Sequence, residues 1–496
     1  MANADDGANG RERVDAAQLH RIAVDALASL GFLPSFTAEV LDEARAGAAL
    51  ALEQQPAIRD MRALLWFSID NDDTLDLDQL SHAEPLPAGA ARLRVAVADV
   101  DALVLAGGAI DRHAATNTTS VYTAAGVFPM LPEILSTGLT SLHEGMERLA
   151  VVVEMVVAAD GSVSAVDIHR ARVLNHAKLA YDGVAAWLNG EAAAPERVTA
   201  VAGLAEQLRL HDALARALRS CRQLRGALTL TTSQTRPVFA DGGLVDLRAD
   251  EKNRAKELIA DVMIAANSAS ARFLAERGFA SLRRFLQSPR RWDRIVALAQ
   301  AHGTVLPPAP DAPALERFLV ERRSADPQGF GDLSLAVVKL LGAGEYSAET
   351  PGDSVPDHFG LAVSDYAHST APNRRYSDLV TQRLLKAAIA GAPTPYGVDT
   401  LTQIARHCTL QEGNANKVER QVLKAAAALL LQDRIGEVFD AIVTGTPAKG
   451  TFARIARPLV EGRVVRGFEG LDVGDAVRLR LVSVDPVRGF IDFERS

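Results

Sequence analysis

Apolar residues near the N-terminus recur at helical spacing. In "AAQLHRIAVDALASLGF" Leu19, Ile22, Ala23, Leu27 and Leu30 fall near one face, and Gly31 is suited to end the helix. "SFTAEVLDEARAGAALAL" predicts a second helix, with Ser35 or Thr37 as cap and Glu39 in its first turn. Residues 13–60 therefore form a small helical unit, either a winged-helix or helix-turn-helix-like head or a helical hairpin packed on the next domain. Residues 1–12 are polar and predicted to be disordered.

After Pro56 the period changes. "ARLRVAVADVDALV" alternates as a strand does, and "RLAVVVEMVVAADGSVSAVDIHRARV" reads as a β-hairpin turning at Asp160-Gly161. Helices are predicted near 200–219, 255–276, 372–391 and 405–436. An Arg-rich stretch, "LRRFLQSPRRWDRIVALAQAHG", interleaves Phe285 and Trp292. Residues 61–435 thus form one mixed unit, and 436–496 differ again. There "AIVTG", "GTFARI", "VEGRVV", "DAVRLRLVSVD" and "GFIDFER" read as five short strands of an OB-type barrel. The fold class is α+β multidomain.

With 496 residues the chain is long enough for about two to four domains. Its 48% hydrophobic and 23% charged content is that of a globular protein. No apolar stretch is expected to reach the ~18 residues of a membrane helix, and the N-terminus lacks the basic and apolar regions of a secretory signal. A cytoplasmic location is expected. Cys221 and Cys408 stand alone without CxxC or CxxH spacing, which argues against a structural zinc site. The net charge of −9 counts against nucleic-acid binding only as an average. The barrel strands carry Arg454, Arg457, Arg463, Arg466, Arg478, Arg480 and Arg488 with Phe452, Phe468 and Phe490 among them, a pattern that suits single-stranded nucleic acid.

Two stretches carry chemistry. "SIDNDDTLDLDQL" puts five aspartates into nine positions between apolar residues. A solvated loop fits the apolar flanks poorly. A calcium loop fails because its sixth position is Leu75 and its twelfth Ser81. A magnesium site for phosphate chemistry remains. Asp76 and Asp78, two apart, point the same way on an extended segment, and a turn can return Asp70 to them. In "YAHSTAPNRRYSDLVTQRLLKAAI", Ser369 or Thr370 is expected to cap a helix starting near Pro372, with Arg374 and Arg375 in its first turn. One arginine can pair with Asp378 while the other faces a phosphate.

The order of these motifs, with "TSVYTAAGVFPMLPEILSTGLTSL", "NHAKLAYDGV" and "NKVERQV" between and after them, resembles the RNB catalytic domain of the ribonuclease II and ribonuclease R family followed by an S1-type domain. The resemblance covers roughly residues 62–496 and is closest to a bacterial subgroup with a helical head in place of paired cold-shock barrels. It implies a processive, Mg²⁺-dependent 3′-to-5′ exoribonuclease that acts on the 3′ end of single-stranded RNA and releases nucleoside 5′-monophosphates. Two Mg²⁺ ions are implied, with Mn²⁺ able to substitute, and no obligate protein partner, so that a monomer is expected. By the same match Asp70, Asp76 and Asp78 hold metal, with Asp76 and Asp78 also catalytic and Asp78 most critical. Gln79 occupies the place of a fourth aspartate. Arg374 contacts the scissile phosphate, while Tyr122, Glu419 and Arg375 contact the RNA. Asn373 replaces a usual apolar residue, and Leu230 matches a position often aromatic. Asp72 and Asp73 match no catalytic position and are expected to serve the turn or face solvent.

Overall fold

The computed structural model describes residues 16–50, 58–231, 234–240, 243–250, 252–286, 289, 291–327, 329–353, 358–445 and 450–496. The predicted disorder over 1–12 lies outside the described residues.

The centre of the molecule is a sheet of β1 (Arg59–Asp60), β2 (Trp66–Asp70), β3 (Gln79–Pro85), β4 (Ala91–Ala98) and a long hairpin, Glu147–Val157 and Val163–Ala180. The second hairpin strand pairs antiparallel with the first from Val163 to Leu174, then parallel with β2 from Asn175 to Ala180. Neighbours therefore run from β2 through β3, β4 and the hairpin back to β2. In β2, Trp66, Phe67, Ser68 and Ile69 are all buried. A strand covered on both faces needs such a continuous run rather than alternation. The register sets Ala180 opposite Asp70, so the acidic segment emerges where two strands end.

Arg254–Glu276 is long and apolar enough to cross a membrane by length and composition alone, contrary to the sequence reading. Its apolar side chains instead fill the main core with those of the sheet. A second core joins the long helix Val398–Leu431 to the C-terminal barrel. A third sits among the helices Trp292–Ala301, Ala312–Ala325 and Phe330–Leu341. Phe285 and Trp292 are buried, so the Arg-rich stretch presents neither ring to a ligand.

The two N-terminal helices divide between the first two cores. Helix α1 (Ala16–Ser29) places Leu19, Ala23, Ala26 and Leu27 in the second core, while Val40 and Ala44 of α2 (Ala38–Leu50) join the first. The barrel closes from strands Val438–Gly445, Thr451–Ile455, Val460–Arg466, Ala476–Asp485 and Phe490–Arg495, the five segments expected.

The helix after the arginines begins at Tyr376, not near Pro372. Its backbone entrance is taken by another segment. Ser120 N donates to the Arg374 carbonyl (2.9 Å) and Tyr376 N to the Thr118 carbonyl (2.8 Å), which holds Arg375 extended at φ −137°, ψ 124°. Ser369 does not cap this helix; its hydroxyl donates to Asn267 Oδ1 at 2.9 Å. The helix Tyr376–Ala390 is anchored by Arg383, 4% exposed, which donates to Asp101 (2.9 Å), Asp111 (2.8 Å), Tyr396 Oη (2.8 Å) and the Val104 carbonyl (2.8 Å). Removing that charge strands the buried Asp111. Arg383→Met is expected to cost about 3–5 kcal/mol, read as a fall in the urea midpoint with an unchanged slope.

Candidate active site

The acidic segment is held open by its neighbours. Lys178 Nζ donates to the carbonyls of Asp72 (2.9 Å) and Thr74 (2.6 Å). Asp72 and Asp73 are exposed on this turn. The buried Ser141 accepts from Leu77 N (3.0 Å) and donates to the Leu75 carbonyl (2.6 Å), so the chain on both sides of Asp76 is fixed. Leu75 itself is exposed rather than directed inward.

Each predicted carboxylate has its own environment. Asp70 Oδ1 accepts from Asn71 N (2.8 Å) and Thr74 Oγ1 (2.9 Å), and burial, helped by the nearby Asp76, raises its pKa. Asp76 Oδ2 accepts from the Tyr122 hydroxyl at 3.1 Å. Asp78, only 3% exposed, accepts from Asn373 N (3.0 Å) and Arg374 Nε (3.2 Å). Burial pushes its carboxyl up to about 7, against the opposing pull of Arg374.

Arg374 and Tyr122 reach the site through one backbone joint. Thr118 ends helix α3 (Ala109–Asn117) in the left-handed region at φ 59°, a conformation a threonine seldom takes. The next residues pair with Arg374–Tyr376 and lead directly into Tyr122. Tyr122 N in turn donates to Glu419 Oε1 of the long helix at 3.2 Å, and burial raises the Glu419 pKa. The two residues expected beside a 3′-terminal nucleotide are therefore neighbours.

Arg375 takes the pairing with Asp378 that was expected of one of the two arginines. Its Nη2 donates to Asp378 at 2.7 Å, and Asp378 also accepts from Ala371 N at 2.8 Å. Tyr346 and Tyr366 also lie close enough to influence its charge. Arg374, with 40% of its side chain exposed, is the arginine free to meet a ligand.

Leu230 packs against the third core. Gln79 opens β3 opposite Val97, and among the described residues no hydrogen bond joins its amide to the three aspartates. Tyr181 was missed by the sequence reading. The parallel register carries it past Ala180 to Asp70, and its phenol, raised mainly by burial, senses both Asp70 and Arg374. The signal available was its place in "NHAKLAYDGV", immediately after a strand that ends beside Asp70.

Among the described residues no group of three His, Cys, Asp or Glu side chains closes into a ready-made metal cage. The donor set nonetheless fits a hard cation. Among the described residues Asp70 Oδ2 and Asp76 Oδ1 carry no protein hydrogen bond, and the Asp76 charge raises the pKa of both Asp70 and Asp78. Mg²⁺ needs only one or two carboxylates beside water and phosphate oxygens. The raised Asp78 also marks a stability cost. Its folded pKa exceeds the unfolded one, so the penalty is full above pH 7 and vanishes as pH falls towards 4. Asp78→Asn is thus expected to stabilise the metal-free protein by about 1–4 kcal/mol at pH 8, with the gain shrinking through that window in chemical denaturation.

Comparison with known proteins agrees with this architecture. An RNB domain model matches residues 58–391, and a model of the RNase II-type exonuclease C-terminal S1 domain matches residues 437–496. Ribonuclease R of Escherichia coli (strain K12) is 30% identical over 447 residues, covering 86% of this chain and 52% of that protein. Ribonuclease R 1 of Lactococcus lactis is 28% identical, covering 95% and 60%. The chain thus spans between about half and three-fifths of the length of these curated relatives. The apo structure of Mycoplasma genitalium RNase R shares the fold, with a TM-score of 0.83 at 22% identity over 97% of this chain and 78% of that one. From the matched domain and the shared order of elements, this chain belongs to the RNB family.

Proposed function

We propose that the chain is a processive, Mg²⁺-dependent 3′-to-5′ exoribonuclease that takes the 3′ end of single-stranded RNA and releases nucleoside 5′-monophosphates. Two ions serve the site, Mn²⁺ can replace Mg²⁺, and the protein works as a cytoplasmic monomer. The observation that carries this reading is the convergence of Arg374 on Asp78 and of Tyr122 on Asp76 from segments far apart in sequence. The relatives named ribonuclease R support it, as does the Mycoplasma genitalium RNase R structure described as a complex with single-stranded RNA.

The terminal nucleotide rests on Tyr122, which is 43% exposed and anchored at its hydroxyl by Asp76 and at its backbone by Glu419. Arg374 uses Nε for Asp78 and keeps its remaining N–H groups for the scissile phosphate, where they stabilise developing negative charge. Asp70, Asp76 and Asp78 would hold the metal, with the Gln79 amide as an uncharged contributor. The bound cation supplies Lewis-acid charge for phosphate hydrolysis. Asp78, fixed by Asn373 N and Arg374 Nε, is the carboxylate assigned to accept a proton from the attacking water. The barrel extends the grip upstream: Phe468 and Phe490 are exposed among its arginines.

A second reading, an RNA-binding protein that no longer turns over, draws on Gln79. That position lacks a charge, and a protein of the same fold, yeast Ssd1, is described as a pseudonuclease (TM-score 0.67, 17% identity).

The two readings part on 5′-labelled single-stranded RNA with Mg²⁺. The expected result is a ladder growing from the 3′ end, abolished by EDTA and slowed about 10²–10⁴-fold in Asp78→Asn. No ladder would favour the binding-only reading, and equal rates in the variant would overturn the mechanism that rests on Asp78. Gln79→Asp is expected to tighten metal binding in a titration followed by calorimetry; unchanged affinity would remove Gln79 from the metal set.

A further inference from the structure

A cavity of about 150 Å³ lies at the tip of the central hairpin, at the opposite end of the strand Val163–Ala180 from Asp70. Its walls come from four places. The hairpin turn supplies Gly161, the C-terminal end of helix Leu204–Leu224 supplies Cys221, Arg222 and Arg225, helix Arg254–Glu276 supplies Ser268 and Arg272, and Asp365 comes from a loop. The hairpin seats tightly on the first helix: Gly161 has φ +80°, and a Cβ there would collide with the Ala217 carbonyl. The cavity is thus a built feature of the packing.

Its polar lining is unusual. Arg222 Nε, Ser268 Oγ and Arg272 Nε are each shut off from solvent without a hydrogen-bond partner. Ser268 and Arg272 stand one turn apart on the same helix face. Unmet buried donors are costly, and the three residues that carry these line one cavity. The charge balance selects its sign. Arg222 shares Asp261 with Arg219, which also has Glu257. Asp365 lies 3.7 Å from Arg283. Arg225 and Arg272 form no ion pair among the described residues. Basic residues at a helix C-terminus are favourable by themselves, which accounts for Arg222 and Arg225. That does not account for the unmet donors of Ser268 and Arg272 on the neighbouring helix.

We infer that this cavity binds a small phosphate group, as inorganic phosphate or the phosphate of a free nucleoside monophosphate, at a site separate from the carboxylates. The planar guanidinium forks and one hydroxyl suit its tetrahedral oxygens, and a volume of about 150 Å³ suits a small anion better than a strand. The site does not depend on turnover at Asp78.

Cys221 reports on it from within. The other free thiol, Cys408, is 3% exposed and pushed up by burial to about 12, so Cys221 is the one that alkylates readily. With EDTA present to keep metal from the carboxylates, phosphate is expected to slow Cys221 alkylation several-fold relative to chloride at equal ionic strength. Uridine monophosphate should act likewise, and the Asp78→Asn variant should be protected as well as the parent. Arg272→Gln, or the milder Arg225→Gln and Ser268→Ala, should weaken protection roughly tenfold, as for one charge-assisted hydrogen bond. Equal labelling in phosphate and chloride would overturn the inference. So would protection by an RNA oligonucleotide alone, or protection that disappears in Asp78→Asn.

Discussion

The carboxylate of Asp78 is the constraint around which the rest of the protein is arranged. It is buried at 3% exposure, yet it is joined to a backbone amide and a guanidinium from a segment almost three hundred residues downstream. A charge so placed is stable only if its partners cannot drift. The partners are therefore fixed in turn. Ala98 N holds the Asp78 carbonyl, Ser141 holds the preceding loop, and Ser120 N holds the carbonyl of Arg374.

Behind Arg374 lies a second layer of buried polar groups. Asp378 gathers Ala371 N, the Arg375 side chain and the Ser377 hydroxyl. The hydroxyl of Tyr346 meets His368 at 2.7 Å, while Arg284 lies over the Tyr346 ring and donates to Glu412. In a buried network of this kind, losing a member leaves the others stranded. Asn373, an amide where the family usually has an apolar residue, ties into the same layer by accepting from Thr140 Oγ1 at 2.6 Å.

The periodicity of the chain made much of this legible. Strand alternation identified the hairpin, and five short segments identified the barrel. The aspartates and Arg374 stood out because such residues in apolar company have few uses. Elsewhere long-range pairing overrode or completed the local pattern. The helix predicted from Pro372 starts at Tyr376 because Thr118–Ser120 takes its first backbone groups. One arginine was expected to pair with Asp378, and Arg375 does so. Tyr181 was missed although it follows a strand that ends beside Asp70, since its role depends on strand register.

Local sequence by itself determined element type and the chemical inventory, because hydrophobic period, turn residues and carboxylate spacing act over a few residues. The family resemblance, rather than local pattern, placed Gln79 where a fourth aspartate is expected. Tertiary structure alone decided where the helix after the arginines begins and which carboxylate is forced towards neutrality. Those outcomes depend on pairings across hundreds of residues and on burial, and neither is written in any short stretch of the chain.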